Sequence, residues 1–214
     1  ASSRWLAVDA ARGMAMLFVC LSHFATGYFA AIGHPERQLL TDRIAMVASP
    51  AFMLISGAML GLLHTTRSAP QFAVVREKLV DRGLFLLVVA HVLIDIAHLP
   101  LRAGRLAWLR WGFITDAIGF SLLAGPYVVA RCSARARVVA AVALSLVGWL
   151  LVIGWHPAHL GAALLKDTFA GPMGRSTRLY NSPFIPWCAL YLGGSALGER
   201  MARRRMAGES SVRF

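Results

Sequence analysis

Six apolar runs of about twenty residues, at 13–33, 44–63, 79–97, 111–130, 138–155 and 184–202, dominate this 214-residue chain. A helix of roughly twenty residues crosses the ~30 Å hydrocarbon core of a bilayer and satisfies its own N–H and C=O groups there. The runs therefore predict an all-α fold, a polytopic transmembrane helix bundle of about six spans, with the third and last runs the weaker ones. Hydrophobic residues make up 57% of the chain and charged residues only 15%, a balance foreign to soluble domains. Residues 1–214 are expected to form a single membrane-embedded domain, since no fixed-period repeat or low-complexity linker divides them. The first run follows Arg4 as a signal sequence would. It is too long for a typical signal core and carries a histidine, so it is expected to stay in the protein.

The net charge of +12 raises nucleic acid as a partner, but the cations sit between the apolar runs, where membrane topology and anionic headgroups account for them. No basic stripe with interleaved stacking aromatics is present, so nucleic-acid binding is not expected. Counting Lys and Arg on alternate sides of the six spans gives 14 on the side of both termini and 8 on the other. Both ends are thus expected in the cytoplasm. Cys20, Cys132 and Cys188 are odd in number and widely spaced, against a disulfide framework or a zinc cluster.

Ionisable residues inside apolar runs are the candidates for chemistry, because they are expensive in lipid unless they face a bundle interior or a wet cavity. His23 lies about halfway along the first run, eleven residues after Arg12. That separation is nearly three helical turns, about 16 Å, and puts both on one face with Asp9 close by. An imidazole so placed could accept a proton from a hydroxyl or amine; equally, it could bond a neighbouring helix while Asp9 and Arg12 form an interfacial ion pair. His91, Asp95 and His98 stack on one face of the third run at i, i+4 and i+7, as a proton relay, an orienter of substrate, or satisfied polar groups near the far interface. A metal is less expected there, because three ligands from one helix seldom surround an ion. Asp116, in the fourth run, needs a partner such as an arginine or histidine of another span.

Arg76, Lys78 and Arg82 accompany Phe72, Val75 and Leu79 in the cytoplasmic stretch 70–83, which reads as an amphipathic helix along the interface before the chain turns inward. Its cations suit lipid phosphate or the phosphates of a nucleotide-bearing donor. Asn181 stands at the mouth of the last run with Ser182, Pro183, Pro186 and Trp187, either touching a polar acceptor or forming the first turn of the helix. Gly57 with Gly61, and Gly194 with Gly198, are small-xxx-small pairs. Packing of helices within one chain is expected of them, with a homodimer seam as the alternative.

Three segments carry a family resemblance: RWLAVDAARGMAMLFVCLSH at 4–23, SPAFMLISGAMLG at 49–61 and SPFIPWCALYLGGSALG at 182–198. With Asp9, the pair Arg12-Gly13 and His23, the chain resembles the heparan-alpha-glucosaminide N-acetyltransferase catalytic-domain family within the transmembrane acyltransferase superfamily. The resemblance implies an integral membrane acyltransferase that moves an acyl group, often acetyl, from cytoplasmic acyl-CoA to a carbohydrate or glycolipid hydroxyl or amine on the far side. It implies acyl-CoA as co-substrate with no tightly bound cofactor, a bacterial cytoplasmic membrane, His23 as the catalytic residue with Arg12 and Asp9 as its motif partners, and Arg76, Lys78 and Arg82 near the donor phosphates. His91, Asp95, Asp116 and Asn181 then become candidates for substrate contact. Members commonly have more than six crossings, so the chain is compatible with one piece of a longer protein. In the animal enzyme of this branch the histidine belongs to the segment after the first membrane helix, whereas His23 follows the wider superfamily.

Two other classes compete. A proton-coupled transporter or flippase would use His23, His91, Asp95 and Asp116 as a relay, although no inverted repeat links the two halves. A bis-histidine haem protein would show a Soret band.

Overall fold

A computed structural model of the chain describes residues 5–33, 43, 47–98, 113–171 and 183–208, and among them the fold is all helical. The first helix, α1, runs Leu6–Ala31 and stops at Gly33, whose φ of 73° lies in the left-handed region that ends helices. Next comes α2, Ala48–Thr66; its last turns are closed by the Thr65 and Thr66 hydroxyls, which donate to the Gly61 and Leu62 carbonyls at 2.8 and 2.7 Å. Ser68 and Gln71 cap the start of α3, Ala69–Phe85, with the Ser68 N–H donating to the Gln71 Oε1 at 3.3 Å.

α3 does not lie apart from the membrane span as an interfacial helix that then turns. It passes through a π turn at Leu86–Ala90 directly into α4, His91–His98, so the amphipathic stretch is the first half of one long helix. The apolar residues Phe72, Val75 and Leu79 pack into the main core rather than against lipid, and this corrects the expected turn. α5, Ile114–Arg131, carries Pro126 in its interior; α6, Ala134–Gly154, begins at Ser133, whose hydroxyl accepts from the Ala136 N–H at 3.2 Å. A short helix not anticipated from the pattern, α7 at Leu160–Phe169, occupies the connection to α8, Phe184–Met206.

Long helical segments thus occupy each of the six apolar runs, and two helices, Ala48–Thr66 and Ala134–Gly154, are by themselves long and apolar enough to cross a membrane. The outer face of α6 exposes Val138, Val139, Val142, Leu146, Trp149 and Leu150, a contiguous apolar surface suited to lipid and costly in water. The chain folds as a helical membrane bundle.

The bundle is organised around α2 and α8, its most extensively packed pair. A Cβ at Gly57 or Gly61 would collide with the Tyr191 or Ser195 carbonyl, and one at Gly194 or Gly198 with the Leu54 or Ala58 carbonyl. Backbone meets backbone from both sides, which only glycine permits, so the four glycines pack helices within the chain. Gly83 of α3 and Gly119 of α5 make a second, looser contact of the same kind. Met53, Leu60, Phe72, Val129 and Tyr191 fill the core between α2, α3, α5 and α8. α1 leans on the outside: Val8 packs with Leu62 of α2 and Ala202 of α8, and the Arg205 guanidinium lies 4.4 Å from the Trp5 ring.

Candidate functional site

Where the start of α4 meets the first turn of α5, in the half of the bundle remote from the chain termini, an imidazole stands between two carboxylates. Asp116, in the first turn of α5, accepts the Phe113 N–H on its Oδ2 at 2.8 Å, so a group at the orphan-donor end of the helix fixes its rotamer. Its Oδ1 faces the His91 Nδ1 at 2.9 Å. The other ring nitrogen, Nε2, is 3.4 Å from the Asp95 Oδ2, one helical turn further along α4. The Phe113 ring meets the imidazole edge to face at 5.5 Å between centroids. The carboxylate side chains are 4% exposed and the His91 side chain 22%, so the ring is reachable where its flanking anions are sealed.

Sequence spacing placed His91 with Asp95; the partner of Asp116 could only come from the packing of α4 on α5. The π turn at Leu86–Ala90 immediately precedes His91, and its extra residue rotates α4 about the helix axis. The two carboxylates address different nitrogens of one ring, leaving the imidazole between them. No group of three or more His, Cys, Asp and Glu among the described residues is arranged to hold a metal ion. The His98 side chain and Asn181 lie outside the described residues.

The first-run candidates occupy α1. Asp9 and Arg12 are exposed near its amino end, level with the carboxyl ends of α2 and α8, at the opposite end of the bundle from His91. His23 sits eleven residues further along the same unbroken helix, and its side chain lies outside the described residues.

The end of the bundle that carries the termini is rich in cations. The Arg76 guanidinium of α3 lies 5.1 Å from the Tyr127 ring of α5, and Arg131 lies 5.8 Å from the same ring. Two positive charges converging on one half-open aromatic leave their remaining donors for an anion. Lys78 and Arg82 are exposed on the same helix as Arg76.

A buried ionic cluster lies behind them, and sequence reasoning missed it. Arg137, in the first turn of α6 with its side chain 1% exposed, donates to the Ser195 Oγ at 2.8 Å and pairs with the Glu199 carboxylate. Glu199 also pairs with Arg203 at 2.6 Å. The available signal was Glu199 itself: a lone carboxylate in the last apolar run needs a buried cation. At the far end, buried Lys166 of α7 donates to the Val152 carbonyl at 3.1 Å, tying the short helix to the last turn of α6.

The model of the heparan-alpha-glucosaminide N-acetyltransferase catalytic domain matches residues 4–213, essentially the whole described bundle and its connections. The chain belongs to that family. No curated protein and no solved structure matches it. As a member of the heparan-alpha-glucosaminide N-acetyltransferase catalytic family the protein is a membrane-bound acyltransferase, and its helices are those of an enzyme that works within the bilayer.

Proposed function

We propose that the protein transfers an acyl group, acetyl in the first instance, from acyl-CoA on the cytoplasmic side to a carbohydrate or glycolipid hydroxyl or amine on the far side. The observation that carries this reading is the family match along residues 4–213. The division of polar groups supports it: cations gather at the end bearing the termini, and the His91 site opens at the other. Arg76, Lys78 and Arg82 receive the donor phosphates, joined by Arg131 beside Tyr127. His91, Asp95, Asp116 and Asn181 belong to the acceptor side. His23 is the catalytic histidine of α1, with Arg12 and Asp9 as its motif partners. It acts as general base toward the acceptor or carries the acyl group briefly as nucleophile. The setting is a bacterial cytoplasmic membrane with both termini in the cytoplasm.

The decisive experiment uses the purified protein in liposomes with labelled acetyl-CoA and glucosamine as acceptor. Transfer by wild type and its loss in His23→Ala, at unchanged unfolding temperature, is the expected result; full transfer by a folded His23→Ala protein ends the assignment. Label retained on wild type in a single turnover, and absent from His23→Ala, selects the nucleophilic route. The Asp-flanked imidazole also suits a proton-coupled transporter. Solute flux without donor consumption would favour that reading, whereas stabilisation by coenzyme A, which requires selective binding to the native state, favours the enzyme.

A further inference from the structure

We propose that His91 is a second catalytic residue, the general base that takes the acceptor's proton at the far end of the bundle. This rests on the acyltransferase reading above and adds a group to it. Asp116 sets the state of the ring. Its Oδ2 is held by the Phe113 N–H and its Oδ1 faces the His91 Nδ1 at 2.9 Å, so the carboxylate cannot turn away from the imidazole. An acceptor-only group in that position requires the proton on Nδ1, and in a neutral imidazole this leaves the lone pair on Nε2. Nε2 is where the structure differs from a satisfied core histidine. Its neighbour there, the Asp95 Oδ2, is also an acceptor, and at 3.4 Å the contact is longer than a good hydrogen bond.

Once Nε2 gains a proton, both nitrogens donate to carboxylates and the positive charge lies between two negative ones. Both carboxylates are 4% exposed and Asp116 is already held by the Phe113 N–H, so little reorganisation accompanies the gain of charge. The site is thus built for the state that proton abstraction creates. The His91 side chain, 22% exposed against 4% for each carboxylate, is the member of the three that a hydroxyl or amine can approach.

The chemistry balances without a further reactant. The acceptor's N or O forms a bond to the acyl carbon as the bond from that carbon to the CoA sulfur, or to an acylated His23, breaks. The acceptor's proton passes to the His91 Nε2 and then to water on the far side. The leaving thiolate, or the released imidazole, takes a proton from the cytoplasmic side. His23 is thereby freed from the acceptor's proton, and transfer through it as nucleophile needs no second role for that ring.

The test compares wild type, His91→Ala, His91→Gln and Asp116→Asn in liposomes, with acetyl-CoA as donor and glucosamine as acceptor. Loss of a general base lowers kcat by about 10²–10⁴-fold, so both His91 variants are expected in that range with the KM for acetyl-CoA unchanged. Added imidazole should restore turnover to His91→Ala and leave wild type unaffected. Asp116→Asn keeps the bond from Phe113 on its amide oxygen and turns its amide N–H toward the His91 Nδ1, which puts the ring proton on Nε2, and should lower kcat into the same range. A folded His91→Ala protein with wild-type kcat overturns the proposal, as does a His91→Gln protein that is fully active, which would mark a packing role. Unfolding temperatures of all four separate loss of base from loss of fold, and if His91→Ala does not fold, His91→Gln and Asp116→Asn carry the test. Wild type without any transfer overturns the acyltransferase reading as well, whereas transfer that needs His23 and not His91 overturns this inference alone.

Discussion

Replacing Glu199 by Gln should be the most destabilising single-charge change in the described bundle, and the reason is an asymmetry in its ion pairs. Arg137 is 1% exposed and has Glu199 as its anion, with the neutral Ser195 hydroxyl as its other partner. Its Nε is already buried without a hydrogen bond. Removing the carboxylate strands that cation, and uncompensated buried charges of this kind cost about 3–5 kcal/mol. Arg137→Met has a different outcome, because Glu199 keeps Arg203 at 2.6 Å and Arg203 is 71% exposed, so the surviving pair lies next to water. The loss there should be roughly 1–2 kcal/mol, mainly that of charge-assisted hydrogen bonds. The double variant, which replaces the pair by apolar and neutral groups of similar volume, should lie within about 1 kcal/mol of Arg137→Met. Reversible unfolding in mixed micelles by dodecyl sulfate titration, followed by the fluorescence of the six tryptophans, measures all three. A Glu199→Gln protein as stable as Arg137→Met, or a double variant less stable than Glu199→Gln, would refute the argument from stranded charge.

Two glycines of α8 should respond oppositely: Gly198→Ala drives a Cβ into the Ala58 carbonyl and should cost more than about 3 kcal/mol, overpacking against backbone being the hardest kind to relieve. Gly193→Ala meets nothing closer than the Ala141 Cβ at 3.9 Å and should stabilise by roughly 0.5–1 kcal/mol in the same unfolding titration. Arg76→Gln should raise the KM for acetyl-CoA roughly tenfold with kcat unaltered, the loss expected of one charged hydrogen bond to phosphate, and an unchanged KM would separate Arg76 from the donor. Exposed Cys132, between α5 and α6, should react with an impermeant maleimide from the cytoplasmic side of oriented vesicles, and His159→Cys from the other; the opposite pattern would reverse the topology, and labelling of both from one side would show that α6 does not cross.

The elements of the fold were legible because each apolar run is long enough to announce a helix, and the small-xxx-small spacing of Gly57, Gly61, Gly194 and Gly198 announced the seam between two of them. Hydropathy did not reveal α7, whose ten residues are too few to form a span, or the continuity of α3 into α4, since a break and a π turn leave the same apolar pattern. His91 and Asp95 were placed together by helical period, which acts within one segment. Asp116 and Arg137 gained their partners from helices 25 and 62 residues away in sequence, and no local periodicity carries such information. Arg131 was counted as a topology charge and not as a neighbour of Tyr127, because the ring that unites it with Arg76 is contributed by tertiary packing.

The interlocked carbonyls of α2 and α8 carry a mechanical consequence. A joint made of main chain has no rotamers with which to yield, so those two rods behave as a fixed spindle. Any breathing that lets a bulky reactant pass through the protein has to be taken up elsewhere. The slack lies in α1, which leans on the spindle through side chains near its amino end, and in α3 and α4, which meet α5 mainly through side chains, with one pair of glycines and a stretch of loosened helical winding among them.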